Sequence, residues 1–539
     1  MAAKKNFFYV FLGYIVFLYL FFNTAWVAED AFITFRSVDQ LLAGHGAVWN
    51  IGERVQVYTH PLWYFLVVLG KALGVESYLF VLLLSALCLF LLLTLTVWLA
   101  RRQGLSYPLL FLFLFLATLS RSFIDYSSSG LENPLIHLLL GGYVAVYVSQ
   151  QPPERRFFYT TLFYALVFLT RPDAIIMLTP ASLALFIQLL RQRKPWLKPA
   201  LLGLAPAIIW ELFSLFYYGS LTPNTALAKV NIGYSHSLLA ERALEVIYHN
   251  FLFDPLTFLL MAGALLATLV LKSTPARLLM AGVVLQLAYI VYVGGDYMFG
   301  RFFSGAFYLS LLALLLATAT IPAERQQLAP QWALIFLAAL FSKNYQPSLD
   351  YRNFFGPNNN GNDTRGFYFQ RLGLLPVIFK HGGNYKTESN MFIKQEKKYS
   401  FNCMIGQAGW NSRSDVYIID PLALSEPFLA RLPAKENADI GHYQRAFPEG
   451  YVLSRTRGRN FLKNPVLARL YDDVLLATQA DLLDPRRLGA IWRLNSGHYK
   501  HLERYFDRNT LGSTDLKLPL VNLPRDIRCM GASAVLQVD

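Results

Sequence analysis

The sequence predicts a polytopic α-helical membrane protein with a C-terminal extramembrane domain of α/β or mixed character. Three observations carry this. Hydrophobic residues make up 55% of the 539-residue chain and charged residues only 15%, where a soluble domain sits nearer about a quarter charged. Long apolar stretches recur as far as residue 342, and the chain turns polar from Lys343. The loops between those stretches alternate between basic and acidic. Mean hydropathy is +0.36, and the 42 Phe and 31 Tyr suit a lipid-facing surface with interfacial belts.

The first stretch, 7–27, has no charged residue and is long enough to span a bilayer. Lys4 and Lys5 precede it as in a signal peptide, but no small-residue cleavage site follows, so it reads as a retained first span. Further spans are expected near 78–99, 107–122, 130–149, 157–171, 174–190, 199–217, 255–271, 277–293, 305–321 and 329–342. With 7–26, that makes about eleven. The apolar segment 61–74 decides the topology, because counting it reverses every later loop. Left out, it gives one side Lys4, Lys5, Arg101, Arg102, Arg155, Arg156, Arg191, Arg193, Lys194, Lys198, Lys272, Arg277 and Arg325, accompanied only by Glu154 and Glu324. The other side receives nearly all the acids. That is a positive-inside pattern. It places the N-terminus in the cytoplasm, 61–74 in the interface, and the acidic loops outside the inner membrane. The net charge of +14 is thereby explained by topology rather than nucleic-acid binding.

Residues 1–342 are thus expected to form the transmembrane core, with an outer loop at 27–75, and 343–539 a periplasmic domain that could bind glycan or act as a lid. Gly/Asn-rich turns (GPNNNGNDTRG) and short β-type runs such as 416–420 mark the second part. Cys403 and Cys529 both fall there and could pair in an oxidising compartment. Cys88, in a span, reads as core packing. No metal-type Cys/His spacing, P-loop, GxGxxG or tandem repeat is present.

Glu29 and Asp30, at the lip of the first span, are the leading functional candidates, since carboxylates there are costly to hold. Each outer loop adds charge beside a turn former: Arg121, Asp125, Glu132 and Asn133; Arg171 and Asp173; Lys229; Asp296 and Arg301. A carboxylate can take the proton of an acceptor hydroxyl, and cations can stabilise a leaving phosphate. The set suits sugar transfer from a lipid phosphate. Blander readings stand beside it. Arg171 and Asp173 could anchor a turn, Lys229 a solvated loop, Asp296 could cap a helix after Gly294 and Gly295, and His60 could cap the helix begun by Pro61. A transporter is a rival class, but its ionisable residues would gather near the midplane.

EDAFITFRSVDQLLAGHGAVWNIGERVQVYTHPLW resembles the first outer loop of GT-C glycosyltransferases, and in particular the mycobacterial, AftB-type arabinofuranosyltransferase branch. SSGLENPL, TRPDA, GSLTPNTALAK, GGDYMFGRFF, AGWNSRSDVYIIDPLALSEPFLARLP and IGHYQRAFPEGY resemble successive motifs of that branch in the same order. The resemblance implies a GT-C core, an outward-facing site and a polyprenyl-phosphate arabinofuranose donor. It places Asp30 at the catalytic acidic position with Glu29 beside it. It also implies donor contacts for His60, Arg171, Asp173, Lys229, Asp296 and Arg301, with Glu132 and Asn133 as further site residues. The acceptor would be an envelope glycan or a surface protein, and another lipid-linked sugar (mannose or aminoarabinose) is the alternative donor. No cofactor is required beyond the lipid-linked sugar, and a divalent cation between outer-loop carboxylates is compatible.

Overall fold

The computed structural model describes residues 2–230, 232–326, 361–385, 399–436, 438–500 and 502–505. Helices stand at the first ten expected spans, and the eleventh, 329–342, lies outside the described residues. Among the described residues, five helices are long and apolar enough to cross a membrane: Ser77–Arg102, Pro172–Arg191, Leu197–Tyr217, Thr274–Val293 and Arg301–Thr318. A sixth candidate is the pair His236–Phe253 and Pro255–Val270, bent by 102°. The apolar pattern places 236–253 between the expected spans 199–217 and 255–271. The bend has a local cause: Pro255 cannot continue the preceding helix, and Asp254 caps the new one by accepting from the Thr257 amide and hydroxyl. The Pro61–Ala72 helix has twelve residues, about 18 Å of rise, against a hydrocarbon core of about 30 Å. Several span helices keep exposed apolar faces, such as Leu83, Leu87 and Phe90, or Leu201, Ile209 and Leu212. Such contiguous apolar surface is what a lipid-facing protein presents.

Contacts divide the chain into two compact units. The first comprises Met1–Ala28, Tyr78–Ala207 and His236–Tyr385. Its centre is the Arg301–Thr318 helix, packed by Pro255–Val270, Thr274–Val293 and Asn133–Tyr147. Gly282 lets Thr274–Val293 close on the turn that carries Asp173, because a Cβ there would lie 1.8 Å from the Met177 carbonyl. Two ion pairs, Asp125–Arg365 and Arg121–Asp363 (3.4 Å), fasten the Arg121–Asp125 and Thr364–Leu372 helices together.

The second unit comprises Glu29–Ser77, Ile208–Ser235 and Lys386–Asp539. Here the stretch that follows the first apolar helix is built into the C-terminal segment. The Glu29–Leu42 helix packs on Ile405–Asn411, and Gly406 permits it: a Cβ there would sit 2.2 Å from the Glu29 carbonyl. Arg36, buried, donates to the carbonyls of Trp49 (3.0 Å), Val416 (2.8 Å) and Gly409. Strand β1 (Tyr399–Phe401) pairs in parallel with β2 (Tyr417–Ile419), and the Asn50 side chain exchanges two hydrogen bonds with the Ile418 backbone. Phe428, Leu470, Tyr451 and Tyr471 centre the hydrophobic core. Beside it Arg455 bridges Glu53 and Glu426 at 2.9 Å each, all three buried, with Tyr417 donating to Glu53 at 2.7 Å. Cys403 is disulfide-bonded; the partner considered from the sequence, Cys529, lies outside the described residues.

Candidate functional site

The expected site residues fall into two groups, one in each unit. In the first unit the structure gathers Glu132, Asn133, Arg171, Asp173 and Arg301 from three loops. Glu132 precedes the Asn133–Tyr147 helix and is 1% exposed. Its Oε1 accepts from Arg171 Nη1 and from Arg301 Nη2, both at 3.4 Å. Arg171 Nε reaches Asp173 at 3.1 Å, and Gln286 Nε2 holds the same carboxylate at 3.2 Å. The Arg171 guanidinium lies 4.4 Å from the Phe302 ring centroid, so one face of it is fixed by an aromatic side chain. Asn133 Nδ2 donates to Ser304 Oγ at 3.0 Å and to the Arg301 carbonyl at 3.3 Å, tying the cluster to the central helix.

Arg171 and Asp173 do anchor a turn, yet they do so inside a cluster of four charges, of which Glu132 and Arg171 are buried, rather than at an isolated loop. Asp296 is not a helix cap. Gly300 takes the N-cap position of Arg301–Thr318, and Asp296 Oδ2 is buried with no hydrogen-bond partner among the described residues. Burial pushes the Tyr126 hydroxyl well above the usual range; the charges of Asp296, Asp125 and Asp363 add to this and Arg301 opposes it. Asp363 is pushed up to about 7 by burial and by Asp125, against the pull of Arg121. Asp363, Arg365, Gln286 and Phe302 were not singled out from the sequence. The first two sit in the turn-rich NDTRG string, where a single acid and a single base carry no pattern.

In the second unit Glu29 and Asp30 open the Glu29–Leu42 helix, and they differ in surroundings. Glu29 is buried, and its carboxylate takes the Gln407 amide at 2.9 Å together with the Gly406 amide. These are first-turn amides of Ile405–Asn411, so Glu29 fastens one helix to the start of another. Burial, and next the charge of Asp30, push Glu29 up to about 8. Asp30 is half-buried. His60 does not cap the Pro61–Ala72 helix with its side chain; its Nε2 instead meets Thr34 Oγ1 at 3.0 Å. Thr34 is one turn beyond Asp30 on the same face of the helix, so His60 is held beside the face that carries Asp30. Lys229 is half-buried in the short Asn224–Val230 helix, which Asn224 ties to the Ala423 and Leu424 carbonyls. Among the described residues, no three His, Cys, Asp or Glu side chains converge to hold a metal ion.

Over 524 aligned residues, 79% of this chain and 82% of the relative, the sequence is 25% identical to the terminal β-(1→2)-arabinofuranosyltransferase of Mycobacterium tuberculosis. The chain is similar to an arabinofuranosyltransferase. A protein of the same name from Corynebacterium glutamicum is 46% identical over 44 residues, 8% of this chain and 6% of that protein. No family model matches the chain, and no solved structure does. The Mycobacterium alignment is too long to rest on shared apolar composition in one or two spans, and it agrees with the ordered motifs read from the sequence.

Proposed function

We propose that the chain is an integral membrane glycosyltransferase of the GT-C type that moves an arabinofuranosyl group from a polyprenyl-phosphate carrier to a hydroxyl of an envelope glycan or surface protein. The observation that carries this reading is the similarity to the Mycobacterium arabinofuranosyltransferase along 79% of the chain. In the proposed topology about eleven spans cross the bacterial inner membrane, the N-terminus is cytoplasmic, and residues 343–539 lie in the periplasm.

In the proposed reaction the acceptor oxygen bonds to the anomeric carbon of the donor sugar as the bond from that carbon to the phosphate oxygen breaks. Polyprenyl phosphate leaves with the electron pair, and the acceptor proton passes to a carboxylate. Asp30 is assigned that proton, because it is the more accessible of the acidic pair, and Glu29 is assigned the placing of its helix. Arg171 and Arg301 are assigned the donor phosphate: a guanidinium fork matches phosphate oxygens, and Arg171 Nη2 makes no hydrogen bond among the described residues. Lys229 and His60 are assigned further phosphate contacts, and Asp296 the sugar hydroxyls. A divalent cation is assigned no step.

The test is transfer of radiolabelled arabinose from synthetic polyprenyl-phosphoarabinose in membranes holding wild type or Asp30→Asn. Product from wild type alone is expected. Product from both variants would remove Asp30 from the role of base, and product only with a mannosyl lipid would replace the arabinose assignment.

A further inference from the structure

The helix Arg486–Asn495 presents a surface that the proposed chemistry does not use. Leu483, Leu488 and Trp492 are 86%, 74% and 73% exposed. Leu488 and Trp492 stand one turn apart on the same helical face, and Leu483 lies in the turn just before it. The other face is fixed. Arg487, 2% exposed, donates through Nη2 to the carbonyls of Phe216 (2.9 Å), Tyr217 (3.4 Å) and Ala477 (3.0 Å). Asn495 donates to the Gly219 carbonyl at 2.9 Å, and a Cβ on Gly219 would come within 3.2 Å of Ile491.

Those acceptors decide what the exposed face meets. Phe216 and Tyr217 are the last residues of Leu197–Tyr217, a helix long and apolar enough to cross a membrane. Along the end of that helix, Ile209, Leu212 and Phe216 are themselves exposed. An exposed Leu–Leu–Trp surface is therefore clamped directly to the end of a lipid-facing span. Trp prefers the headgroup level, and an amphipathic helix lying in the interface buries its apolar side about 5–10 Å into the headgroup–acyl boundary. The neighbouring cations are already engaged: Arg486 with Asp484 at 2.7 Å, Arg493 with Asp473 at 2.7 Å, and Arg487 with carbonyls. Attraction to the bilayer is accordingly apolar rather than electrostatic.

We propose that Arg486–Asn495 docks on the lipid interface, with Leu483, Leu488 and Trp492 entering the boundary between headgroups and acyl chains. This rests on the membrane reading of Leu197–Tyr217 and is independent of which sugar is transferred. The test uses the full chain in lipid nanodiscs, spin-labelled at Leu488→Cys and, separately, at Trp492→Cys. Cys88 is buried and Cys403 disulfide-bonded, and the unsubstituted chain serves as the labelling blank. Power saturation is compared with oxygen, which concentrates in lipid, and with a water-soluble nickel chelate. The expected result is oxygen accessibility above nickel accessibility at both positions, unchanged between phosphatidylcholine and a mixture containing phosphatidylglycerol. Nickel accessibility above oxygen would place the helix in water and overturn the proposal. Protection from both reagents would show protein covering the face and would overturn the proposal as well, and a depth that needs phosphatidylglycerol would overturn the apolar mechanism.

Discussion

Replacing Glu29 by Gln separates the holding of the Glu29–Leu42 helix from the chemistry assigned to its neighbour. Burial and the Asp30 charge, with a smaller contribution from Asp420, move Glu29 from 4.5 to about 8, against the two amides of Gly406 and Gln407. At about 1.4 kcal/mol per pKa unit, the fold disfavours ionised Glu29 by roughly 5 kcal/mol at the limit. The sign follows from linkage. Between pH 4.5 and about 8 the folded chain binds a proton that the unfolded chain has lost, so wild-type stability falls as pH rises through that window. Gln has the same shape, keeps an oxygen for the amides and carries no charge. The variant should therefore match wild type near pH 5 and exceed it by several kcal/mol at pH 9, on the order of 10 °C in Tm for a body of this size. Thermal unfolding in detergent at pH 5, 7 and 9 reads this directly. A Glu29→Gln variant less stable than wild type at pH 9 would refute the reasoning, because ionised Glu29 would then be stabilising. In the same preparations Glu29→Gln should retain most of the transfer activity and Asp30→Asn should lose it.

Three further outcomes are expected. Arg455→Met leaves Glu53 and Glu426 buried without their shared cation, a loss of about 3–5 kcal/mol. Because Glu426 sits up at about 7, the loss should shrink as pH falls below 7 and Glu426 protonates; equal Tm values for wild type and variant at pH 8 would contradict the network's role. Arg171→Lys removes the fork that spans Glu132 and Asp173 and should lower kcat/KM for the lipid donor by about tenfold or more, with Tm measured alongside to detect mere unfolding. Lys229→Ala should raise KM for the donor more than for the acceptor, and equal changes in both would remove it from the phosphate.

What was legible in the sequence is what local patterning encodes. Apolar runs placed ten helices, because span length and composition are properties of contiguous residues. Turn formers beside charges picked out Glu132, Arg171, Asp173 and Arg301, and the fold gathers these four. The bend at Pro255 shows where apolar patterning is silent. The 236–253 segment carries Glu241, Arg242 and Glu245, whose charge sets it outside the apolar spans and gives no sign of the helix that the chain forms there. Asp363 and Arg365 were missed for a different reason. Each acquires meaning only through Arg121 and Asp125, some 240 residues away.

The same distance in sequence explains the architecture of the second unit. Nothing in the stretch after the first span announces that Arg36 will donate to Val416, that Asn50 will pair with the Ile418 backbone, or that Glu53 will share Arg455 with Glu426. Yet these contacts bury two guanidiniums and two carboxylates, groups that are strongly destabilising when left alone. Once the C-terminal segment supplies their partners, the Glu29–Leu42 helix has little freedom to shift. Glu29 fixes its start to Gly406 and Gln407, Arg36 fixes its middle to Gly409 and Val416, and Gln40 fixes its end to Ser414 at 2.9 Å. Asp30 is thus a half-buried carboxylate on a helix clamped at three points by the C-terminal segment. Under this geometry, a substitution in that segment that weakens the clamp without touching substrate should lower turnover while leaving KM for the donor near its wild-type value.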